Sequence, residues 1–186
     1  MRTQSLSVAS ERRARILQAT LDMLVEHGIS NITHRKIARA ADVSLGSMTY
    51  YFTGIDALIR EAFEQFTYQI SEQFHLSLLQ ADNHDKACEA IADMISGGVL
   101  ASPYNMQVMF QLYACASCRP ELKKIMQDWM ARSQQSLSLF FDPLTARGLD
   151  AFIEGMTLHC VTDTQPLSRD QVLVIIKRLV NVNCGS

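Results

Sequence analysis

Apolar residues in this chain recur at intervals of three and four rather than two, the period of helices packed on a core and not of half-buried strands. The first such segment puts Ile16, Leu17, Leu21, Leu24 and Val25 on one stripe, with Ser10 as its expected N-cap and Gly28, after His27, as its left-handed stop. Thr33 is placed to cap a short second helix ending near Ala41, and Ser44 a third ending near Phe52. Asp56 then lies in the first turn of a long helix reaching about Gln80, with Leu58, Ile59, Ala62, Phe66, Ile70 and Phe74 on its buried side. A helix from about Asp85 to Leu100 follows. Later starts fall at Ser102-Pro103, Arg119-Pro120 and Asp142-Pro143, where proline at the first helical position gives up no intrahelical bond. Ser168 and Gln171 form a capping box that opens the last helix. The pattern predicts an all-α chain of about nine helices, without strands, internal repeats or low-complexity segments.

Within this plan the stretch 33–52 is the informative one. Two short helices separated by Asp42, Val43 and Ser44 have the dimensions of a helix-turn-helix, although small helical hairpins without that role are common. Ile37, Ala38, Ala41, Val43, Met48 and Phe52 form its expected core, small where the helices cross. On the second helix Met48 and Phe52 lie four apart and face inward, while Ser47, Tyr50 and Tyr51 occupy roughly the opposite side. That outward face has hydroxyls and aromatic rings but no carboxylate, as suits a surface meeting phosphates.

Charge sharpens this reading. The net charge of −2 says little by itself, but residues 1–60 hold eight Lys and Arg against five Asp and Glu, whereas the remainder holds nine against fourteen. A basic head on an acidic body fits a nucleic-acid-binding end joined to a sensing or dimerising one.

Residues 11–60 resemble the TetR family of bacterial regulators. The segment 11–33 is similar to that family's first helix with its glycine stop. Residues 37–59 resemble its helix-turn-helix and the start of its fourth helix, with Gly28, Ile37, Ala38, Val43, Gly46, Tyr50, Phe52 and Leu58 in the family pattern. Three positions depart from it: Asp42 replaces a turn glycine, Thr49 a tyrosine and Ile55 a lysine. Aspartate tolerates a left-handed backbone, so the turn should persist. Loss of the lysine should lower the salt slope of DNA binding by about one unit.

The resemblance implies a helix-turn-helix DNA-binding domain at 1–54 and a helical effector-binding and dimerisation domain at 55–186. It places Thr33, Arg35, Thr49 and Tyr51 on phosphates, Leu45, Gly46, Ser47 and Tyr50 at base edges, and His34 in either group. Direct readout usually draws on Arg, Asn or Gln, which the recognition helix lacks, so apolar contact from Leu45 and DNA shape should carry specificity. Arg2, Arg12, Arg13 and Arg15 can add backbone contacts or simply form a solvated helix surface.

In the body, the last helix is apolar around much of its circumference, and the preceding one has Gly155 in mid-helix, where glycine costs about 1 kcal/mol. Phe152, Gly155, Val172, Ile176 and Leu179 are therefore candidates for a homodimer interface, or alternatively for an internal core. The resemblance favours a four-helix bundle between twofold mates. A near-palindromic operator would then present half-sites one DNA turn apart, about 34–36 Å. The middle helices are rich in methionine and aromatic side chains, which suit either a core or an adaptable apolar pocket. Met94, Gln107, Phe110, Tyr113, Trp129, Met156 and His159 are the candidate pocket residues for a small apolar effector.

Enzymatic signatures are missing: there is no phosphate loop, nucleophile elbow, paired histidine ligand motif or nicotinamide fingerprint, and the five histidines are scattered. No cofactor or metal is expected. Cys115 and Cys118 are close enough in sequence to leave a redox role open, but no second pair suggests zinc, and buried thiols are the plainer reading. No apolar run approaches the roughly 20 residues of a membrane span, and the polar, basic N-terminus has no signal core. The sequence thus predicts a cytoplasmic, bacterial, dimeric transcription regulator, with repression the default outcome. A protein-interaction dimer with a degenerate head and a cysteine-based redox regulator are the alternatives.

Overall fold

The computed structural model describes residues 2–181, with side chains from residue 9 onward. Among these residues there are nine α-helices, one short 3-10 turn and no strand. The helices are α1 (Arg2–His27), α2 (His34–Ala40), α3 (Leu45–Tyr51), α4 (Ile55–Leu79), α5 (His84–Ser96), α6 (Pro103–Ala116), α7 (Pro120–Leu137), α8 (Pro143–Thr162) and α9 (Arg169–Asn181).

Most ends are set by local chemistry that the sequence displays. Thr33, Ser44 and Asn83 accept backbone N–H groups at the starts of α2, α3 and α5. Asp142 accepts from Leu144 and Thr145 at the start of α8. The capping box closes in both directions: Ser168 N–H donates to Gln171 Oε1 at 2.9 Å and Gln171 N–H to Ser168 Oγ at 3.3 Å. Two ends differ from expectation. Ser10 lies inside α1 rather than capping it, because no proline or glycine interrupts the polar run before it. The fifth helix stops at Ser96, not Leu100, where Gly97 and Gly98 follow in succession and helix propensity collapses.

The chain divides into two compact units, Met1–Thr67 with Gln107–Met126, and Tyr68–Met106 with Gln127–Ser186. In the first, Ile16, Leu17, Leu24, Ile37, Met48, Leu58 and Phe63 are fully buried. Arg119 pairs with Asp56 at 3.0 Å, tying the residues before α7 to the first turn of α4. Arg13 pairs with Glu61 and lies 5.5 Å over the Phe52 ring.

In the second unit α9 runs antiparallel to α5. Arg169 pairs with Asp93 at one end and Lys177 with Asp85 at 2.7 Å at the other, over the buried Cys88, Ile91, Val172 and Ile176. Lys177 holds the Asp85 carboxyl below the usual carboxylate range, and Asp93 pushes the Arg169 guanidinium up. No described helix is long and apolar enough to cross a membrane.

Candidate nucleic-acid interface and interior chamber

The stretch between α2 and α3 forms by backbone rules before any packing. Thr33 Oγ1 accepts from the N–H of Lys36 at 3.3 Å and fixes the start of α2. At its end Asp42 takes φ 51°, Asp42 N–H donates to Arg39 O at 3.3 Å, and Val43 N–H donates to Ala38 O at 3.0 Å. This is the paired-bond arrangement that usually terminates a helix on glycine; aspartate fills the left-handed position here. Ser44 then accepts from the N–H of Ser47 at 3.2 Å, and α3 begins.

The two faces of α3 separate as its periodicity requires. Met48 and Phe52 are buried with Ile37, Ala38 and Ala41; Val43 is half-buried. Leu45 and Tyr50 point outward, Tyr50 at 82% exposure, an unusual position for an aromatic ring unless something covers it. The Tyr50 and Tyr51 rings meet edge to face at 5.0 Å, which stiffens both. Gly46 is exposed, and a Cβ there would meet only Ser44 Oγ, at 3.9 Å, so nothing within the chain demands glycine at this point. Its effect is to keep the helix surface low between Leu45 and Ser47. Thr49 Oγ1 donates to Gly46 O at 3.1 Å, so its hydroxyl is turned back on the helix.

Arg35 is exposed and His34 half-buried at the start of α2. Lys36 and Arg39, which sequence reasoning missed, add exposed positive charge on the same helix; Lys36 Nζ donates to Asn31 O at 2.7 Å. The density of cations between Arg35 and Arg39 was the available signal. Asp42 is the one carboxylate between His27 and Ile55. Of the N-terminal arginines, Arg12 is half-buried and Arg15 exposed, whereas Arg13 is engaged with Glu61 and Phe52 and so supports the core rather than an arm. The Arg2 side chain lies outside those described.

On α8, Leu144, Gly148, Ala151, Gly155 and Leu158 form an exposed stripe at alternating spacings of four and three. A Cβ added at Gly148 or at Gly155 would meet nothing within 4 Å, so neither glycine is explained by packing inside the chain. Phe152 is half-buried and Leu179 is 43% exposed. Val172 and Ile176, expected on a partner-facing surface, are instead fully buried within the chain. The reason is the α5–α9 pairing, which takes the centre of the apolar stripe of α9 for internal use.

The second unit also encloses a small chamber of about 20 Å³, room for roughly one water. Phe74, Met94, Leu100, Trp129 and Met130 supply apolar wall, Ser71 and Ser133 hydroxyls, and Asp150 and Glu154 carboxylates. Asp150 is only 7% exposed and accepts from Gln134 Nε2 at 2.9 Å. Burial pushes its carboxyl up from the ordinary range, partly offset by the bonds from Gln134 and Ser133. Of the seven candidate pocket residues, Met94 and Trp129 line this chamber. Gln107, Phe110, Tyr113, Met156 and His159 do not, and Phe110 and His159 are exposed. A groove of about 360 Å³ adjoins it along α4 and α5, with Phe74 and Met94 in both walls.

Cys115 is buried and Cys118 exposed; burial raises the Cys115 thiol, which disfavours the reactive thiolate. Among the described residues no three metal-ligating side chains are grouped.

Residues 16–62 match the family model of bacterial regulatory proteins of the tetR family, and residues 82–182 that of a tetracyclin repressor-like C-terminal domain. The HTH-type transcriptional regulator BetI 1 of Chromohalobacter salexigens is 26% identical over 86% of this chain and 84% of its own length. Among solved structures, the Streptomyces coelicolor protein SCO7518 is 44% identical, covering 91% of this chain and 98% of that one, with a TM-score of 0.83. The multidrug binding protein EbrR, complexed with ethidium, is 26% identical over 91% of this chain and 98% of its own, with a TM-score of 0.72.

Proposed function

The chain belongs to the TetR family of DNA-binding transcriptional regulators, and from that premise we propose that it represses transcription by binding a near-palindromic operator as a homodimer. The observation that carries this reading is the outward face of α3. Leu45 and Tyr50 stand exposed on a helix that is capped by Ser44 and pinned by Met48 and Phe52, with no carboxylate along it. A rigid helix presenting apolar and hydroxyl groups suits the major groove, where Leu45 can meet a thymine methyl and Tyr50 and Ser47 base edges. Gly46 lets the helix approach closely. Thr33, Arg35 and Tyr51 fix register on phosphates, with His34 beside them; Thr49 joins them by releasing its bond to Gly46.

Operator binding is assigned to residues 1–54, and effector binding and dimerisation to 55–186. Dimerisation uses the exposed stripe of α8 with Phe152, Gly155 and Leu179, and it spaces two recognition helices by about one DNA turn, ~34–36 Å. A small, largely apolar effector in the second unit shifts the dimer away from its operator-binding form; the chamber there, and the ligand-bound state of EbrR, support that part.

Selection of bound fragments from random duplex DNA, followed by footprinting, tests the proposal. A near-palindrome protected over two successive turns, and weakened by Tyr50→Ala, is the expected result. No enriched sequence at low salt would overturn it in favour of a protein-interaction dimer.

A further inference from the structure

The corner between α6 and α7 carries chemistry that operator binding does not use. Cys115 is buried in the last turn of α6, and Cys118, three residues on, is the one exposed cysteine among the described residues. The chain turns back between them: Ser117 N–H donates to Tyr113 O and Cys118 N–H to Cys115 O, each at 3.2 Å. A turn closed in this way holds its end Cα atoms within about 7 Å, and a disulfide spans Cα separations of about 4.4–6.8 Å. Ser117 Oγ donates its hydrogen to Ala114 O at 2.7 Å, so the Cys118 thiol, 3.4 Å from that oxygen, donates to it and is held at the surface. Burial pushes the Cys115 thiol up, Arg119 opposes that and Cys118 adds to it, so the three groups share one neighbourhood. Burial also guards Cys115 from direct oxidation, and Cys118 is the thiol that an oxidant meets first.

The next residue ties this corner to the recognition helix. Arg119 pairs with Asp56 at 3.0 Å, and its carbonyl accepts from Leu122 and Lys123 at 3.1 Å each, fixing the start of α7. Asp56 stands in the first turn of α4, four residues beyond Phe52, the C-cap of α3. Corner and head belong to one compact unit. We propose, building on the operator reading above, that Cys115 and Cys118 are a dithiol oxidised by hydroperoxides, whose disulfide draws Arg119 away from Asp56 and weakens operator binding. Cys118 gives up its proton and its sulfur attacks one peroxide oxygen. The O–O bond breaks, a sulfenic acid forms on Cys118, and the leaving oxygen takes the proton to become an alcohol, or water from hydrogen peroxide. Cys115 Sγ then bonds to Cys118 Sγ, the S–O bond breaks, and the departing hydroxide takes the Cys115 proton as water. Two thiols are oxidised and one hydroperoxide is reduced; an external dithiol reverses the change. Joining the sulfurs pulls Cys118 from Ser117 Oγ towards the buried Cys115, and Arg119 moves with it. The Arg119–Asp56 pair is partly exposed, so its loss alone changes affinity only a few-fold, and the shift at the start of α7 adds to it.

The full chain is reduced, treated with hydrogen peroxide, alkylated at its free thiols and mapped by mass spectrometry, with operator affinity measured on the same samples. The expected result is a Cys115–Cys118 disulfide and a loss of operator affinity of about three- to tenfold, restored by dithiothreitol. Cys118→Ser, a change at an exposed site, should abolish both responses while binding the operator as tightly as the reduced parent. Arg119→Gln should weaken the reduced protein and leave oxidation little further effect, because the disulfide acts through the contact already removed. Equal responses to peroxide in Arg119→Gln and the parent would remove Arg119 from the switch. Sulfinic acid on Cys118, or its pairing with any other cysteine, would overturn the site itself. A mapped disulfide with unchanged operator affinity would overturn the switch and leave operator binding standing. Reduced protein that binds no DNA would sink the operator reading and the switch with it, while the disulfide map still decides the site.

Discussion

The recognition segment and the interior chamber each set a few polar groups on an apolar frame, but with opposite signs and in opposite surroundings. Between His27 and Ile55 the chain carries Arg35, Lys36 and Arg39 against the single carboxylate of Asp42, all at the surface. The chamber has two carboxylates, no lysine or arginine in its wall, and one of its acids almost wholly removed from water. The first arrangement attracts a polyanion without desolvating anything until contact. The second removes a carboxyl from water among neutral hydrogen-bond donors, where ionisation costs far more than at the surface. Charge in this chain is thus divided by burial as well as by position.

If the two regions are built independently, breaking one should spare the other. Met48→Ala gives the largest effect: it empties a fully buried site between α2 and α3 and should cost about 2–5 kcal/mol. Urea unfolding should show the loss, and operator binding should fail while ligand-dependent quenching of Trp129 persists. Loss of both together would mean that the second unit does not hold its chamber without the head. Gly98→Ala is the counterpart. Its new Cβ meets Met94 backbone atoms at 2.7 Å, so the connector must move at a cost of about 1–3 kcal/mol. Ligand affinity should change and the operator footprint should keep its sequence.

The head was legible because its determinants are local. Thr33 to Lys36, Ser44 to Ser47 and Asp42 to Arg39 are all within four residues, and each follows from the identity of one side chain or one backbone region. The inward pair Met48 and Phe52 follows from helical spacing alone. The chamber was not legible, because its wall converges from α4, α5 and the connector after it, α7 and α8, and no local pattern marks Asp150 as buried rather than solvated. Softness of side chain selected Met94 and Trp129, which line the chamber, and equally Phe110 and Met156, which do not, since composition does not say which side of a helix meets a void. Val172 and Ile176 went astray for a related reason: a stripe on a terminal helix does not reveal whether its own α5 or another molecule covers it.

Ser44→Ala tests the local part of this contrast at smaller scale. Removing the hydroxyl leaves the N–H of Ser47 only the Ser44 carbonyl, at 3.0 Å, as acceptor at the start of the recognition helix and should cost about 0.5–2 kcal/mol. Operator affinity measured at fixed salt should fall, while the salt slope stays the same because no charge has changed. A slope altered by a full unit would mean that Ser44 itself positions a phosphate contact.

Asp150 gives the finest test, visible as a slope rather than a loss at any single pH. Its carboxyl titrates higher in the folded chain than in the unfolded one, where the ordinary value is 3.8. The folded state therefore holds a proton that the unfolded state gives up above that value. Stability from this group is full below 3.8 and declines as pH rises through the interval up to the raised folded value, beyond which it is flat. Asp150→Asn should remove that decline, so the variant gains on the parent as pH is raised across the interval. Urea midpoints taken at successive pH values should converge in acid and separate towards neutrality. Parallel curves would show that water or a neighbouring group fully offsets the burial, and the contrast between a desolvated acid and a solvated basic head would have to be abandoned.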